Sequence, residues 1–346
     1  MSEDLSGREA GASGRVLLTG GAGYIGSVLT RRLLHEGYRV TVVDRFFFGR
    51  GTLPGGCARL ACIDRDTRLL EAADFAGVDA VVDLAAISND PAGELDPALT
   101  WQVNHQARVR CAELARAAGV PRYVLPSSSS VYGQQEGLLS ETSPTAPRTA
   151  YAEANAAAER DTLALAGPGF TACAVRQATV FGVSRRMRLD LVVHQMVVQA
   201  RSRGSIPVLG DGLQWRPFVH VADVCEAMLL LLRADADCVS GELFNLGGDH
   251  LNLTVGELAE QVGAAVGVSR VHSYPGLDDR SHRMDFAKIR GKLGFVPSRS
   301  VSYGAREVGD AISRGDVDVD DPKTMTVQWY QHLLASGANS PVLLGG

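Results

Sequence analysis

The chain has 346 residues, 45% of them hydrophobic and 21% charged, with a formal net charge of −5. That length suits one large α/β domain or two intimate ones and leaves ample apolar material for a core. The acidic balance argues against a nucleic-acid surface, and no apolar run approaches the ~18 residues that cross a bilayer.

In chain order, residues 1–14 (MSEDLSGREAGASG) have no apolar h-region and read as a disordered tail rather than a secretory signal. RVLLT at 15–19 is a short apolar run ended by glycines, as a buried parallel strand would be. Tyr24 to His35 has helical spacing, with Ile25, Val28, Leu29, Leu33 and Leu34 on one side and Gly37 as the stop. RVTVVD at 39–44 and VDAVVDLAA at 78–86 predict strands, and helical segments are predicted over about 68–75 and 98–118. RYVLP at 122–126 predicts another strand, followed by a Ser-rich loop. An Ala-rich helix then runs over 149–166, and TACAVR at 171–176 is a further strand. Strands alternating with helices imply a parallel sheet covered on both faces, with right-handed crossovers: an α/β fold of the doubly wound Rossmann class.

Beyond residue 177 the alternation loosens. Val219–Val221 reads as a short strand before a helix over 222–233, residues 244–247 (FNLG) as a strand end, and Thr254–Glu257 as a capping box that opens a helix. The expected organisation is a dinucleotide-binding domain over 15–176, to which 218–235 return. A smaller substrate-binding lid domain would come from 177–217 and 236–346. The six cysteines (Cys57, Cys62, Cys111, Cys173, Cys225 and Cys238) show no CxxC spacing and no accompanying His cluster. They read as structural thiols rather than metal ligands or disulfides, with the cytoplasm as the default compartment.

Gly20, Gly23 and Gly26 stand in TGGAGYIG between the first strand and the first helix. The first glycine permits the tight turn, the second lets backbone approach a pyrophosphate, and the third allows close helix–strand packing. The helix start, at Tyr24 and Ile25, faces the phosphates. Asp44 ends the second strand 18 residues beyond Gly26. A carboxylate there can bond both ribose hydroxyls and would repel a 2′-phosphate, which favours NAD over NADP. Arg45 beside it could accommodate a phosphate, so NADP stays open.

TGGAGYIGSVL, DLAAISND, VNHQARV, SSSSVYG, Tyr151, GDGLQWRPFVHVADV and FNLGG occur in the order and spacing of the extended short-chain dehydrogenase/reductase family, which the chain resembles over about residues 15–335. Most members act on nucleotide-diphosphate sugars as epimerases, dehydratases, decarboxylases or ketoreductases. The resemblance implies bound NAD, a nucleotide-diphosphate-sugar substrate, no membrane partner and a homodimer. Leu84, Ala85 and Ala86 would line the adenosine and ribose, and Asn104 would steady the loop near the cofactor. Asp64 would take the adenine amine, although a solvated turn acid fits it as well. Tyr151 matches the catalytic acid/base, and Ser128, with Ser129 beside it, the hydroxyl that bonds the reacting group. Arg216 and Arg280 match arginines that close on the diphosphate; a surface salt bridge also fits each. Relatives dimerise through the tyrosine-bearing helix, whose Ala-rich run over 152–158 allows close packing there. A helix buried within one chain would look the same.

The SSSSVYG loop bears on the reaction. Sugar 4,6-dehydratases of the family carry an Asp-Glu pair before VYG, and its decarboxylases tend to hold a Glu there. Here those positions are Ser129 and Ser130, which cannot supply that acid–base chemistry. Serines fit a 4-epimerase, which oxidises a sugar carbinol, lets the ketone rotate and reduces it from the other face while NAD stays bound. A ketoreductase, a dehydratase and a catalytically silent NAD-binding protein are the alternatives.

One departure matters most. The family signature is Tyr-x-x-x-Lys, and this chain reads Tyr151-Ala-Glu-Ala-Asn155. Spacing i, i+4 puts both side chains on one helix face, so Asn155 holds the lysine's place. It can bond the nicotinamide ribose but carries no charge to lower the tyrosine pKa. A unit charge ~4 Å away at an effective dielectric of ~20 is worth ~4 kcal/mol, about three pKa units from tyrosine's ~10. Without it Tyr151 is expected to stay protonated, able to give a proton in a reduction and poor as a base in oxidation. The chain's only lysines are Lys288, Lys292 and Lys323; with none in the nucleotide domain, rescue would have to come from Lys288 or Lys292, which stand in a helix-like segment of the lid, or from an arginine. Asp83 replaces a common His, Gln177 and Thr179 occupy a turn where relatives often show Asn, and His194 stands where an Asn often helps hold the nucleotide. His194 and His220 read as structural.

Overall fold

The computed structural model describes residues 14–276 and 281–336. Apart from Gly14, the tail expected over 1–14 lies outside the described residues. The chain divides into two compact units. One takes the chain up to Ser127, then Thr149–Val175 and Cys225–Leu243; the other takes Ser128–Arg148, Arg176–Val224 and the chain from Phe244 onward.

Most of a seven-stranded sheet belongs to the first unit. The strands in chain order are β1 (Arg15–Thr19), β2 (Arg39–Asp44), β3 (Leu60–Asp64), β4 (Ala80–Asp83), β5 (Arg122–Ser128), β6 (Thr171–Gln177) and β7 (Leu243–Leu246); the end of β6 and all but the first residue of β7 fall in the second unit. Their order across the sheet is β7-β6-β5-β4-β1-β2-β3. β1 runs parallel to β2 and β4, β2 to β3, and β4 to β5. The reversal of order at β1 and β4 is the mark of a doubly wound Rossmann sheet, which binds ligands outside its strand carboxyl ends at that switch. Central strands are buried on both faces, so they read as continuous apolar runs: Val16, Leu17 and Leu18 of β1 and Val81 and Val82 of β4 are fully buried. One core layer joins Leu17, Val81, Tyr123, Leu125 and Phe170 to Cys111, Ala112 and Ala115.

The helices that position the site are α1 (Tyr24–His35), α2 (Arg108–Ala117) and α3 (Ala150–Leu163). α3 is opened by Thr149, whose hydroxyl accepts from the Ala152 N–H. The helix expected over 98–118 forms in three pieces: an α turn at Pro97–Trp101, a π segment at Gln102–Ala107, and α2. Residues 68–75 make two 3₁₀ turns, Thr67–Leu69 and Ala72–Phe75, rather than the expected helix. Asp66 caps the first and a Glu71–Asp74 box the second, so each turn is closed before an α-helix can propagate. β3 was not legible, because this edge strand is largely exposed and lacks an apolar run.

In the second unit, α4 (Val192–Arg203), α6 (Val255–Val266) and α7 (Val301–Ser313) pack on one another around Phe181, Val197, Phe218, Leu258, Val262 and Val308. Between α4 and α6 in sequence, α5 (Val221–Arg233) has its residues up to Val224 in the second unit and the rest in the first. The predicted capping box is present, with Thr254 and Glu257 each accepting the other's backbone N–H. Trp215–His220 pairs with Thr179–Phe181 in parallel and with Asn252–Thr254 in antiparallel register. Ser128–Arg148, placed with the first block from sequence, packs in this unit because Leu138–Leu139 pairs with Arg283–Met284 and the Tyr132 hydroxyl donates to Asn245 at 2.7 Å.

Candidate active site

The Gly20–Gly26 turn joins β1 to α1. Gly20 has φ +64, and a Cβ there would lie 2.8 Å from the Ala85 backbone nitrogen. A Cβ on Gly26 would lie 2.3 Å from the Gly20 carbonyl oxygen, so the turn and the helix start can approach only because both are glycine. α1 begins at Gly23 with no side-chain cap and no acidic residue in its first turn, which comprises Tyr24, Ile25 and Gly26. Its positive end is left for an anion.

Asp44 closes β2. One carboxylate oxygen accepts from the Ala22 N–H at 2.9 Å and the other from the Phe46 N–H at 2.7 Å. Burial pushes this carboxyl above its ordinary value, against the backbone N–H groups of Phe46, Ala22 and Arg45 that lower it. Two oxygens with about four lone-pair sites still have capacity for a diol. A bare helix start for a diphosphate and a carboxylate for a ribose form a donor set that fits a dinucleotide.

The loop after β4 carries Leu84, Ala85 and Ala86. Thr19 holds it: the Leu84 N–H donates to the Thr19 carbonyl at 3.2 Å and the Ala85 N–H to its hydroxyl at 3.0 Å. Asn104, fully buried in the π segment, accepts from the Ile87 N–H at 2.8 Å and donates to the Ile87 carbonyl at 3.0 Å. Asp64 ends β3 in register with Asp44, but its exposed carboxylate binds Arg50 at 2.9 Å. Arg45 turns to Asp66 at 3.8 Å and lies over the Phe47 ring.

Tyr151 and Asn155 stand one turn apart on α3. The N-terminus of that helix is tied down by two carboxylates: Asp90 accepts from the Thr149 hydroxyl at 2.7 Å and Glu94 from the Ala150 N–H at 2.7 Å. Asn155 is buried; its Nδ2 donates to the Tyr151 carbonyl at 2.8 Å, and its Oδ1 accepts from Arg108 Nη1 at 2.9 Å. Arg108 was not singled out from the sequence. Its motif VNHQARV drew attention to Asn104, and nothing in the pattern marks an arginine on α2 as buried. Ala152, Ala154, Ala157 and Ala158 are buried within this single chain, so the small residues of α3 serve its own packing.

In the second unit, Ser128 caps the 3₁₀ turn Ser129–Tyr132, its hydroxyl accepting from the Ser130 N–H at 3.2 Å; Ser129 is buried. Arg216 lies half-buried on Trp215–His220 and donates to the Trp215 carbonyl at 3.1 Å. Arg280 lies outside the described residues. The buried His194 accepts from the Gly182 N–H at 2.9 Å and donates to the Arg188 carbonyl at 2.6 Å; burial lowers its pKa to about 4. His220 bonds Glu307 at 3.0 Å. Both rings are engaged in holding this unit's own structure. No group of three or more His, Cys, Asp or Glu that could hold a metal occurs among the described residues, and no described helix is long and apolar enough to cross a membrane.

Residues 16–247 match the model of the NAD dependent epimerase/dehydratase family. The chain belongs to this family. Among curated relatives, UDP-glucose 4-epimerase of Streptomyces lividans is 30% identical, over 83% of this chain and 93% of that one. UDP-glucuronic acid decarboxylase 1 of Danio rerio is 29% identical, over 85% and 73%. Among solved structures, MoeE5 in complex with UDP-glucuronic acid and NAD superposes with a TM-score of 0.76 at 31% identity, covering 87% of this chain and all of that one. Within this fold an uncharged Asn155 stands one helical turn from Tyr151, with the buried Arg108 bonded to it.

Proposed function

We propose that the chain is an NAD-dependent nucleotide-sugar epimerase acting at C4 by transient hydride transfer, with proton handling altered at Asn155. The loop at the end of β5 carries this reading. Ser129 and Ser130 stand where a dehydratase or decarboxylase needs carboxyl groups. The carboxylates beside the start of α3 are engaged elsewhere, Asp90 with Thr149 and Glu94 with Ala150. The UDP-sugar bound in the MoeE5 complex and the UDP-glucose in the Streptomyces lividans relative's name support a nucleotide-diphosphate sugar as substrate.

When bound, NAD supplies a reversible hydride acceptor for a sugar carbinol. The chain's residues do the rest. Tyr151 exchanges the proton of the reacting hydroxyl, Ser128 holds that hydroxyl, and Arg216 and Arg280 pair with the diphosphate. Asp44 takes the adenosine ribose, the start of α1 the pyrophosphate, and Asn155 a nicotinamide-ribose hydroxyl. We read the chain further as a cytoplasmic homodimer, checked by sedimentation and fractionation.

The test supplies UDP-glucose, UDP-galactose, UDP-glucuronic acid and dTDP-glucose to the purified protein and follows sugar protons by NMR. The expected result is one C4 epimer pair, reached from either side, with no net change at 340 nm. Loss of water or carbon dioxide overturns the epimerase reading. Asn155 favours one second reading, a ketoreductase in which Tyr151 only donates a proton, and NADH consumed in proportion to product would identify it.

A further inference from the structure

Arg108 is a buried cation on α2, 2% exposed. Its Nη1 donates to Asn155 Oδ1 at 2.9 Å, its Nη2 donates to the Asp83 carbonyl at 2.8 Å and to the Pro126 carbonyl, and its Nε lies 3.7 Å from the Asp83 carboxylate. Asp83, on β4, is itself held by the Thr19 hydroxyl and by the Tyr123 hydroxyl at 2.6 Å. Burial and then the Asp83 charge push the Tyr123 phenol well above its ordinary value, so it remains a donor to that carboxylate. Every residue of this network lies in the first unit.

A guanidinium is a donor only. The Asn155 amide therefore has one orientation against it: oxygen toward Arg108, nitrogen away. That nitrogen has two hydrogens, and the Tyr151 carbonyl takes one of them. The other is directed by the same constraint and is available to an acceptor. The two departures from the family pattern, Asp for His at 83 and Asn for Lys at 155, meet at this one arginine. The cation absent from α3 stands one side chain farther back, on α2.

We propose that Arg108 is a positioning residue of the dinucleotide site, which orients the Asn155 amide toward the nicotinamide ribose and supplies from α2 the positive charge that relatives carry on the helix of the catalytic tyrosine. This rests on the assignment of Tyr151 and Asn155 to the nicotinamide end of NAD. The charge has a signature that packing lacks. The oxidised nicotinamide is cationic and the reduced one is neutral, so a nearby cation disfavours NAD⁺ relative to NADH. Arg108 is partnered by the Asp83 carboxylate, so the full effect shows when the cation alone is removed: losing one unit charge about 10 Å away at an effective dielectric of ~20 changes that ratio roughly tenfold.

The experiment is equilibrium exchange of the dinucleotide bound to the full chain against NAD⁺/NADH mixtures, read by NADH fluorescence. Arg108→Met is expected to shift the affinity ratio roughly tenfold toward NAD⁺, and Arg108→Lys to keep it near wild type. Equal weakening for both forms would reduce Arg108 to packing and overturn the proposal. Because Arg108→Met strands Asp83, a second pair decides if it does not fold. Asn155→Lys alone sets two cations together and is expected to lose binding by tenfold or more, whereas Arg108→Met with Asn155→Lys restores binding and ratio. Asn155→Lys binding as well as the double variant would also overturn the proposal. A wild-type chain that binds neither NAD⁺ nor NADH would instead sink the assignment of the site itself.

Discussion

Tyr151, Asp44 and Asn155 show how far a single residue type constrains chemistry. A phenol at the start of α3 can pass a proton and little else, so Tyr151→Phe is expected to lower epimer formation about 10²–10⁴-fold while leaving NAD bound. Turnover unchanged in that variant would remove the tyrosine from the mechanism. Asp44 accepts two backbone N–H groups and, in the proposed assignment, offers its remaining lone pairs to a ribose. Asp44→Ser should weaken NAD binding by roughly tenfold and narrow the preference against NADP; titration of both dinucleotides checks it. The places of Tyr151 on a helix and of Asp44 at a strand end were legible from motif spacing, and their roles are proposals. Arg108 was not legible, since its burial comes from Asp83, Pro126 and Asn155, which are 25, 18 and 47 positions away.

At the scale of elements, the sequence was most reliable where periodicity was strong. β1, α1 and β2 fall where the apolar pattern and the glycines put them. Residues 68–75 failed because local polar caps won over helical spacing, and β3 because an edge strand need not be apolar. The π segment at Gln102–Ala107 carries Asn104, and such segments are frequent at functional sites. Asn104 satisfies both backbone groups of Ile87. Asn104→Ala should cost roughly 2 kcal/mol of stability and loosen the Leu84–Ala86 loop. Denaturant unfolding and NAD titration measure the two effects, and an unperturbed midpoint would mean that the loop needs no clamp.

For the whole molecule, acid should act through the second unit. His194 is held near a pKa of about 4 by burial, against 6.5 when solvated. The unfolded chain therefore binds this proton first on acidification. The stability that the neutral ring contributes is present above pH 6.5 and is lost progressively as pH falls to about 4, up to roughly 3 kcal/mol. Unfolding followed by tryptophan fluorescence in a Trp101→Phe background, which leaves Trp215 and Trp329 of that unit, should show a midpoint that falls across this window and falls less in His194→Gln. An equal fall in both proteins would place the acid sensitivity elsewhere. The sequence by itself determined the doubly wound sheet and the family, because each rests on short-range patterns: runs of apolar residues and a glycine spacing. Only the tertiary structure decided what lies behind Asn155. A buried guanidinium must gather its partners from β4, β5 and α3 at once, and the cost of leaving such a charge unpaired is paid in three dimensions. For that reason Asn155 read from sequence as a position without a charge, and only the fold shows the guanidinium bonded to it.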